Sequence, residues 1–154
     1  MRVTKAVIAM SVLAATLSGP VCGQKAAAGT PVAAGARTPA AVAQALVDAF
    51  NAHDVEGVLA VYAPDCVARR LPGGEEFLRG RDAVRAKFVA LFEKNPGVRI
   101  EIVGRIVHGS FVIDREKITG AAGGTEPSYG VVIYEIRDGA IRNEWYLPKT
   151  SASD

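Results

Sequence analysis

A chain of 154 residues with 49% hydrophobic side chains is long enough for one domain with its own core. Its formal charge is +2, matched by two basic residues, Arg2 and Lys5, in an N-terminal stretch that holds no acids. Without them 16 basic residues face 16 acidic ones and no basic run exceeds Arg69-Arg70, which excludes the electrostatic footprint of a nucleic-acid-binding protein.

Residues 1–23 carry the pattern of an export signal. Arg2 and Lys5 form a positive n-region, and "AVIAMSVLAATL" (Ala6–Leu17) is apolar but too short to span a bilayer. Ser18-Gly19-Pro20 breaks that stretch, and Val21-Cys22-Gly23 offers small residues ahead of a cut before Gln24. Two other readings compete: an N-terminal membrane anchor, and lipid attachment at Cys22. Pro20-Val21 argues against the second, because such sites carry small residues there. Export predicts a periplasmic or secreted protein with no membrane contact after cleavage. The cut removes Cys22 and leaves Cys66 alone, so no intramolecular disulfide is expected. Beside Val67 and Ala68, Cys66 reads as a small buried hydrophobe rather than a nucleophile. "QKAAAGTPVAAGAR" (Gln24–Arg37) is rich in Ala and Gly and lacks large apolar residues, the composition of a flexible tether. The folded domain is expected over residues 38–150.

Thr38 as N-cap and Pro39 at the first helical position open that domain. Val42, Leu46, Ala49 and Phe50 then recur at helical spacing and predict a helix ending near His53. Asp54 caps a second predicted helix, "VEGVLAVYA", with Val58, Leu59 and Tyr62 on its inner face, stopped by Pro64-Asp65. "DCVARRLPGG" (Asp65–Gly74) is the first predicted strand. Alternation puts Cys66, Ala68 and Arg70 on one face and Val67, Arg69 and Leu71 on the other. "LPGGEEFLRG" reads as a turn. "GRDAVRAKFVALFEKNPG" is the third helix, with the apolar stripe Val84, Phe88, Leu91 and Phe92, ended by Asn95-Pro96-Gly97. The period then changes to two. "VRIEIVGRIVHG" has Gly104 where a bulge fits, "SFVIDREKITG" follows, and "SYGVVIYEI" leads into "RDGAIRNEWYL" through the hairpin signal Asp138-Gly139. Helices first and antiparallel strands after make an α+β domain.

The succession "ALVDAFNAHDVEGVLAVYAPD", "GRDAVRAKF" and "VIYEIRDGAIRNEWYL" resembles the SnoaL-like branch of the nuclear transport factor 2-like superfamily, which includes ketosteroid isomerases and polyketide cyclases. The resemblance covers about residues 38–148. It rests on the "NAHD" ending of the first helix, the "YAPD" exit from the second and the final "YEIRDGAI" hairpin. It implies a cone-shaped barrel in which a curved, mainly antiparallel sheet wraps three N-terminal helices. An apolar cavity opens at one end, and homodimers form through the sheet's outer surface. Activity follows much less directly, because this fold hosts many functions. The isomerases place a tyrosine on the first helix, a protonated acid on a late strand and a base aspartate at the end of the first strand. The matching positions here are Leu46, Val132 and Arg70. Leucine and valine donate no hydrogen bond and a guanidinium is no base at neutral pH, so the isomerase mechanism is not expected. Tyr62 matches a supporting tyrosine of that family.

The same resemblance turns Cys66, Ala68, Arg70, Val132, Tyr134, Glu144 and Tyr146 inward. Asp114 and Glu116 share one face of their strand and Arg115 and Lys117 the other, and the pattern does not choose between them. A buried arginine needs a partner, with Glu144 the first choice for Arg70 and Asp114 the second. In one reading the cavity binds a small organic molecule. Arg70 offers its fork to a carboxylate or carbonyl, and Tyr62, Val132, Tyr134 and Tyr146 contribute contacts. As an enzyme it would be a cofactor-independent isomerase, cyclase, lyase or hydrolase using Asp114 or Glu144 as acid or base. In the other reading the domain binds or assembles without catalysis, which the missing isomerase set favours. Arg70 also has an outward alternative, snorkelling to water at the strand end. Trp145 and Leu147 are assigned to the sheet's outer face and a dimer interface. His53 near a helix end and His108 beside Gly109 have no ligand-spaced partners, so no metal is expected. No phosphate loop, dinucleotide-binding glycine pattern or nucleophile elbow is present in the sequence.

Overall fold

The computed structural model describes residues 37–151. The proposed signal, and the tether up to residue 36, lie outside the described residues. Helix α1 (Pro39–Asn51) starts as expected, with Thr38 Oγ1 accepting from the Ala41 N–H at 3.3 Å. Its stripe of Val42, Ala43, Leu46, Val47 and Phe50 is buried. His53 follows with φ of 54°, and Asp54 caps α2 (Val55–Ala60) by accepting from the Gly57 N–H at 3.0 Å. This second helix is shorter than its pattern suggested. Tyr62 is the first residue of strand β1 (Tyr62–Arg70) rather than the end of a helix.

The stretch expected to be only a turn contains a strand, β2 (Glu75–Arg79), paired antiparallel with β1. Five residues behind Gly73-Gly74 suffice to pair back, because Leu78 has a core site to fill. Helix α3 (Gly80–Lys94) buries Val84, Phe88 and Phe92 along the predicted stripe. Four long strands follow: β3 (Arg99–His108), β4 (Phe111–Thr119), β5 (Ser128–Arg137) and β6 (Ala140–Tyr146). The predicted bulge is present, a slip in register between Ile102 and Gly104. The Asp138-Gly139 turn joins β5 to β6, with both residues at positive φ.

The six strands form one sheet in the order β2-β1-β6-β5-β4-β3, with β1 and β6 parallel and every other pair antiparallel. The sheet is open, with β2 and β3 as unpaired edges, so the expected barrel is not closed. Register aligns Ala68 with Glu144, Glu144 with Tyr134, Tyr134 with Val112, and Val132 with both Tyr146 and Asp114. One sheet face therefore collects side chains from four strands beneath α1 and α3. On the helix side Phe50 meets Phe88 and Phe92 edge-on, with centroids 6.0 and 5.3 Å apart, and His53 stacks on Phe92. The α3–β3 turn and the end of β4 cross at two glycines. A Cβ on Gly120, whose φ is 68°, would lie 2.0 Å from the Gly97 carbonyl oxygen, so only glycine fits.

Candidate functional site

Strand β4 settles its own ambiguity. Val112, Asp114, Glu116 and Ile118 are all buried, while Arg115 is exposed and Lys117 partly so. Both acids therefore face the helices, but their surroundings differ. Asp114, with no exposed surface, takes a bidentate pair from Arg105 on the neighbouring strand, at 2.6 and 2.7 Å. Arg105 also donates to Gln44 Oε1 at 3.1 Å, which ties β3 and β4 to α1. Both Asp114 oxygens are occupied and the residue does not line the cavity. Its proposed acid–base role thus gives way to a structural one.

Glu116 does line the cavity, and among the described residues its one side-chain partner is the Tyr134 hydroxyl, which donates to Oε1 at 3.1 Å. Burial pushes this carboxyl up to about 7, and Asp114 and Glu144 add to the rise. The phenol hydrogen bond and Lys87 oppose it without cancelling it. Burial likewise holds Tyr134 well above the ordinary phenol range.

A second polar chain runs beside it. Tyr62 donates to Glu144 Oε1 at 2.5 Å, Tyr146 donates to Oε2 at 3.0 Å, and Lys87 Nζ donates to the Tyr146 hydroxyl at 3.0 Å. Both carboxylate oxygens of Glu144 accept, and the lysine charge reaches it through one hydroxyl. Both Glu144 oxygens are thus committed within the network, with Lys87 one hydroxyl away. Burial raises Glu144, and Lys87 and the two phenols work against that rise. Burial lowers Lys87, whose ammonium also lies 4.9 Å from the Phe88 ring centroid and 4.6 Å from that of Tyr146. Glu144 itself stands behind the phenols rather than at the cavity wall.

These groups border a cavity of about 250 Å³. Its walls are otherwise mostly apolar and include Leu46, Phe50, Phe88, Ile118 and Val132. An engineered cavity of about 150 Å³ admits benzene, so this one has room for a larger ring compound. Of the predicted contact residues, Tyr62, Val132, Tyr134 and Tyr146 all line it, and Arg70 does not.

The Arg70 side chain is 57% exposed. It lies 3.9 Å from Glu75 and 4.2 Å over the Phe77 ring, so neither expected partner, Glu144 nor Asp114, is the one it meets. The cause is local. The β1–β6 register runs unbroken from Ala68–Glu144 to Arg70–Tyr146, but Arg70 is the last residue of β1 and its side chain runs over Phe77 to water, the outward alternative. Cys66 is buried as expected, and burial raises its thiol. Trp145 lies against Phe111 and is not among the cavity's lining residues, whereas Leu147, expected on the outer face, borders the cavity. Lys87 was not anticipated, although it lies three residues after Val84 and four before Leu91, within reach of the helix's inner stripe. Among the described residues no three His, Cys, Asp or Glu side chains gather as a metal would require.

The family model for the SnoaL-like domain matches residues 43–144. The chain belongs to the SnoaL-like domain family. This SnoaL-like domain has the nuclear transport factor 2-like cone fold, with the sheet left open, and solved structures share it. One is an uncharacterised cystatin-fold protein from Novosphingobium aromaticivorans, 23% identical, covering 73% of this chain and 99% of that one with a TM-score of 0.65. Another is a candidate ketosteroid isomerase from Kribbella flavida, 20% identical, covering 75% and 80% with a TM-score of 0.62. A third is wild-type IdmH from Streptomyces antibioticus, a candidate polyketide cyclase, 21% identical, covering 73% and 92% with a TM-score of 0.61. At these identities the likeness establishes the fold alone. None of the curated proteins matches the chain.

Proposed function

We propose that this SnoaL-like domain is a cofactor-independent acid–base enzyme that moves a proton on a small, largely apolar organic molecule held in its cavity. Glu116 carries the reading. It is a carboxyl at the wall of an apolar cavity that titrates near neutrality, where its acid and base forms are both available. Tyr134 positions it. Glu144 is held by two phenols behind the wall and serves as support. By the sequence resemblance Leu46, Val132 and Arg70 take the positions of the isomerases' tyrosine, acid and base, which supports assigning the proton transfer to a different carboxyl.

The test is hydrogen–deuterium exchange. The protein is incubated in D₂O with a panel of cyclic ketones and β-keto esters, and loss of the α-proton is followed by NMR. At least one compound should exchange faster than in buffer, and Glu116→Gln should abolish the excess rate while keeping ligand-induced thermal stabilisation. Exchange as fast in Glu116→Gln as in the wild type would refute the assignment.

Export and assembly are proposed on separate grounds. The basic, apolar and small-residue succession of residues 1–23 supports export, which N-terminal sequencing of secreted material tests. Partly exposed Ile106 and Val107 on the edge strand β3 are compatible with a homodimer through the sheet, which light scattering tests.

A further inference from the structure

Two ammonium groups border the cavity. Lys87 reaches it from α3 and Lys149 from the segment after β6. Among the described residues neither forms an ion pair with a carboxylate, and one Lys87 N–H goes to the Tyr146 hydroxyl. Lys149 is exposed, yet its backbone is held. Leu147 N–H donates to the Val131 carbonyl at 3.0 Å, and Tyr129 and Thr150 exchange two hydrogen bonds of 2.9 Å. This strap lays the lysine stem along Gly130, the residue paired with Glu116 in the β4–β5 register. A third cation stands at the Lys87 side. Arg70 and Lys87 lie over the same Phe77 ring, at 4.2 and 5.6 Å, and that ring packs edge-on against Tyr146 at 5.6 Å.

The carboxyl behind Lys87, Glu144, already has both oxygens taken by Tyr62 and Tyr146. Protonated Glu116 adds a donor rather than a charge. An anion in the cavity would find the ammonium hydrogens not given to Tyr146 as its donors.

We propose that the ligand of this cavity is an organic monocarboxylate, its apolar body among Phe50, Phe88 and Ile118 and its carboxylate between Lys87 and Lys149. The assignment rests on the proposed use of the cavity for a small organic molecule and adds the chemical class. It also gives to two lysines the anion-binding role that the sequence pattern placed on Arg70.

The test compares 2-naphthoate with its neutral isostere 2-naphthamide by isothermal titration calorimetry on the full chain, at pH 6 and low salt. The carboxylate should bind about tenfold tighter than the amide. Lys149→Gln should remove most of that preference, and Lys87→Met should weaken the carboxylate too. Lys117→Gln removes an equal charge from the other face of β4 and should change neither. Equal affinities in the wild type, or a Lys149→Gln preference as large as the wild type's, overturn the carboxylate assignment while leaving the cavity's use intact. Binding of neither compound counts against both.

Discussion

Asp114 and Glu116 lie two residues apart on one face of one strand, and they have opposite roles. Asp114 has a guanidinium on both oxygens and holds three elements together. Glu116 has a single phenol and an open cavity in front of it. Both are buried acids, so burial alone does not mark a reactive group. The partner does. A bidentate arginine occupies both carboxylate oxygens, while a lone phenol leaves burial in control of the Glu116 proton.

The largest break in this comparison is expected at the ion pair. Arg105→Met strips Asp114 of its countercharge and should destabilise the fold by about 3–5 kcal/mol in urea denaturation. A loss below about 1 kcal/mol would mean that Asp114 is not held by this pair.

Glu116→Gln should do the reverse at high pH. Its folded-state carboxyl titrates near 7 against 4.5 ordinarily, so the native state binds the extra proton. Stability from that proton is full below about pH 4.5 and lost as pH rises through 7. At about 1.4 kcal/mol per pH unit this amounts to roughly 3 kcal/mol. The charged groups facing Glu116 are Asp114 on its own strand, Glu144 on β6 and Lys87 on α3, with the Tyr134 phenol on β5. Glutamine keeps an acceptor for Tyr134 and has no proton to lose. The variant should therefore be more stable than the wild type at pH 8 and the two should converge near pH 5. Parallel stability–pH curves would contradict this.

Removing one donor from Glu144, by Tyr62→Phe or Tyr146→Phe, should cost about 1–3 kcal/mol, the range for leaving a buried polar group without its partner. Arg70→Ala marks the small end. A mostly exposed guanidinium on Phe77 should contribute no more than about 0.5–1 kcal/mol to stability.

The fold was legible where one period ran unbroken. Val42, Leu46 and Phe50 announced α1, Val84, Phe88 and Phe92 announced α3, and Asp138-Gly139 announced its hairpin. β2 escaped because "EEFLR" is short and shows one inward residue, Leu78, too few to establish a period. Arg70 took the outward of its two readings, because alternation gives the face of a strand residue but not whether a long side chain at the strand end turns to water. Tyr134, Glu144 and Tyr146 were readable as inward, since strand parity and the resemblance agreed on them. Asp114 and Glu116 were not separable by any local pattern. Arg105, nine residues before Asp114, became its partner only through the β3–β4 register. Lys87 and Lys149 were hidden for a similar reason. A lysine near an apolar stripe reads as surface until the sheet supplies the cavity it borders.

The most direct test of the account follows the Glu116 carboxyl carbon by ¹³C NMR from pH 4 to 9, with Glu116→Gln identifying the resonance. The account predicts a midpoint near 7, moving upward in Tyr134→Phe as the opposing hydrogen bond is removed. A midpoint near 4.5, unmoved by Tyr134→Phe, would contradict it.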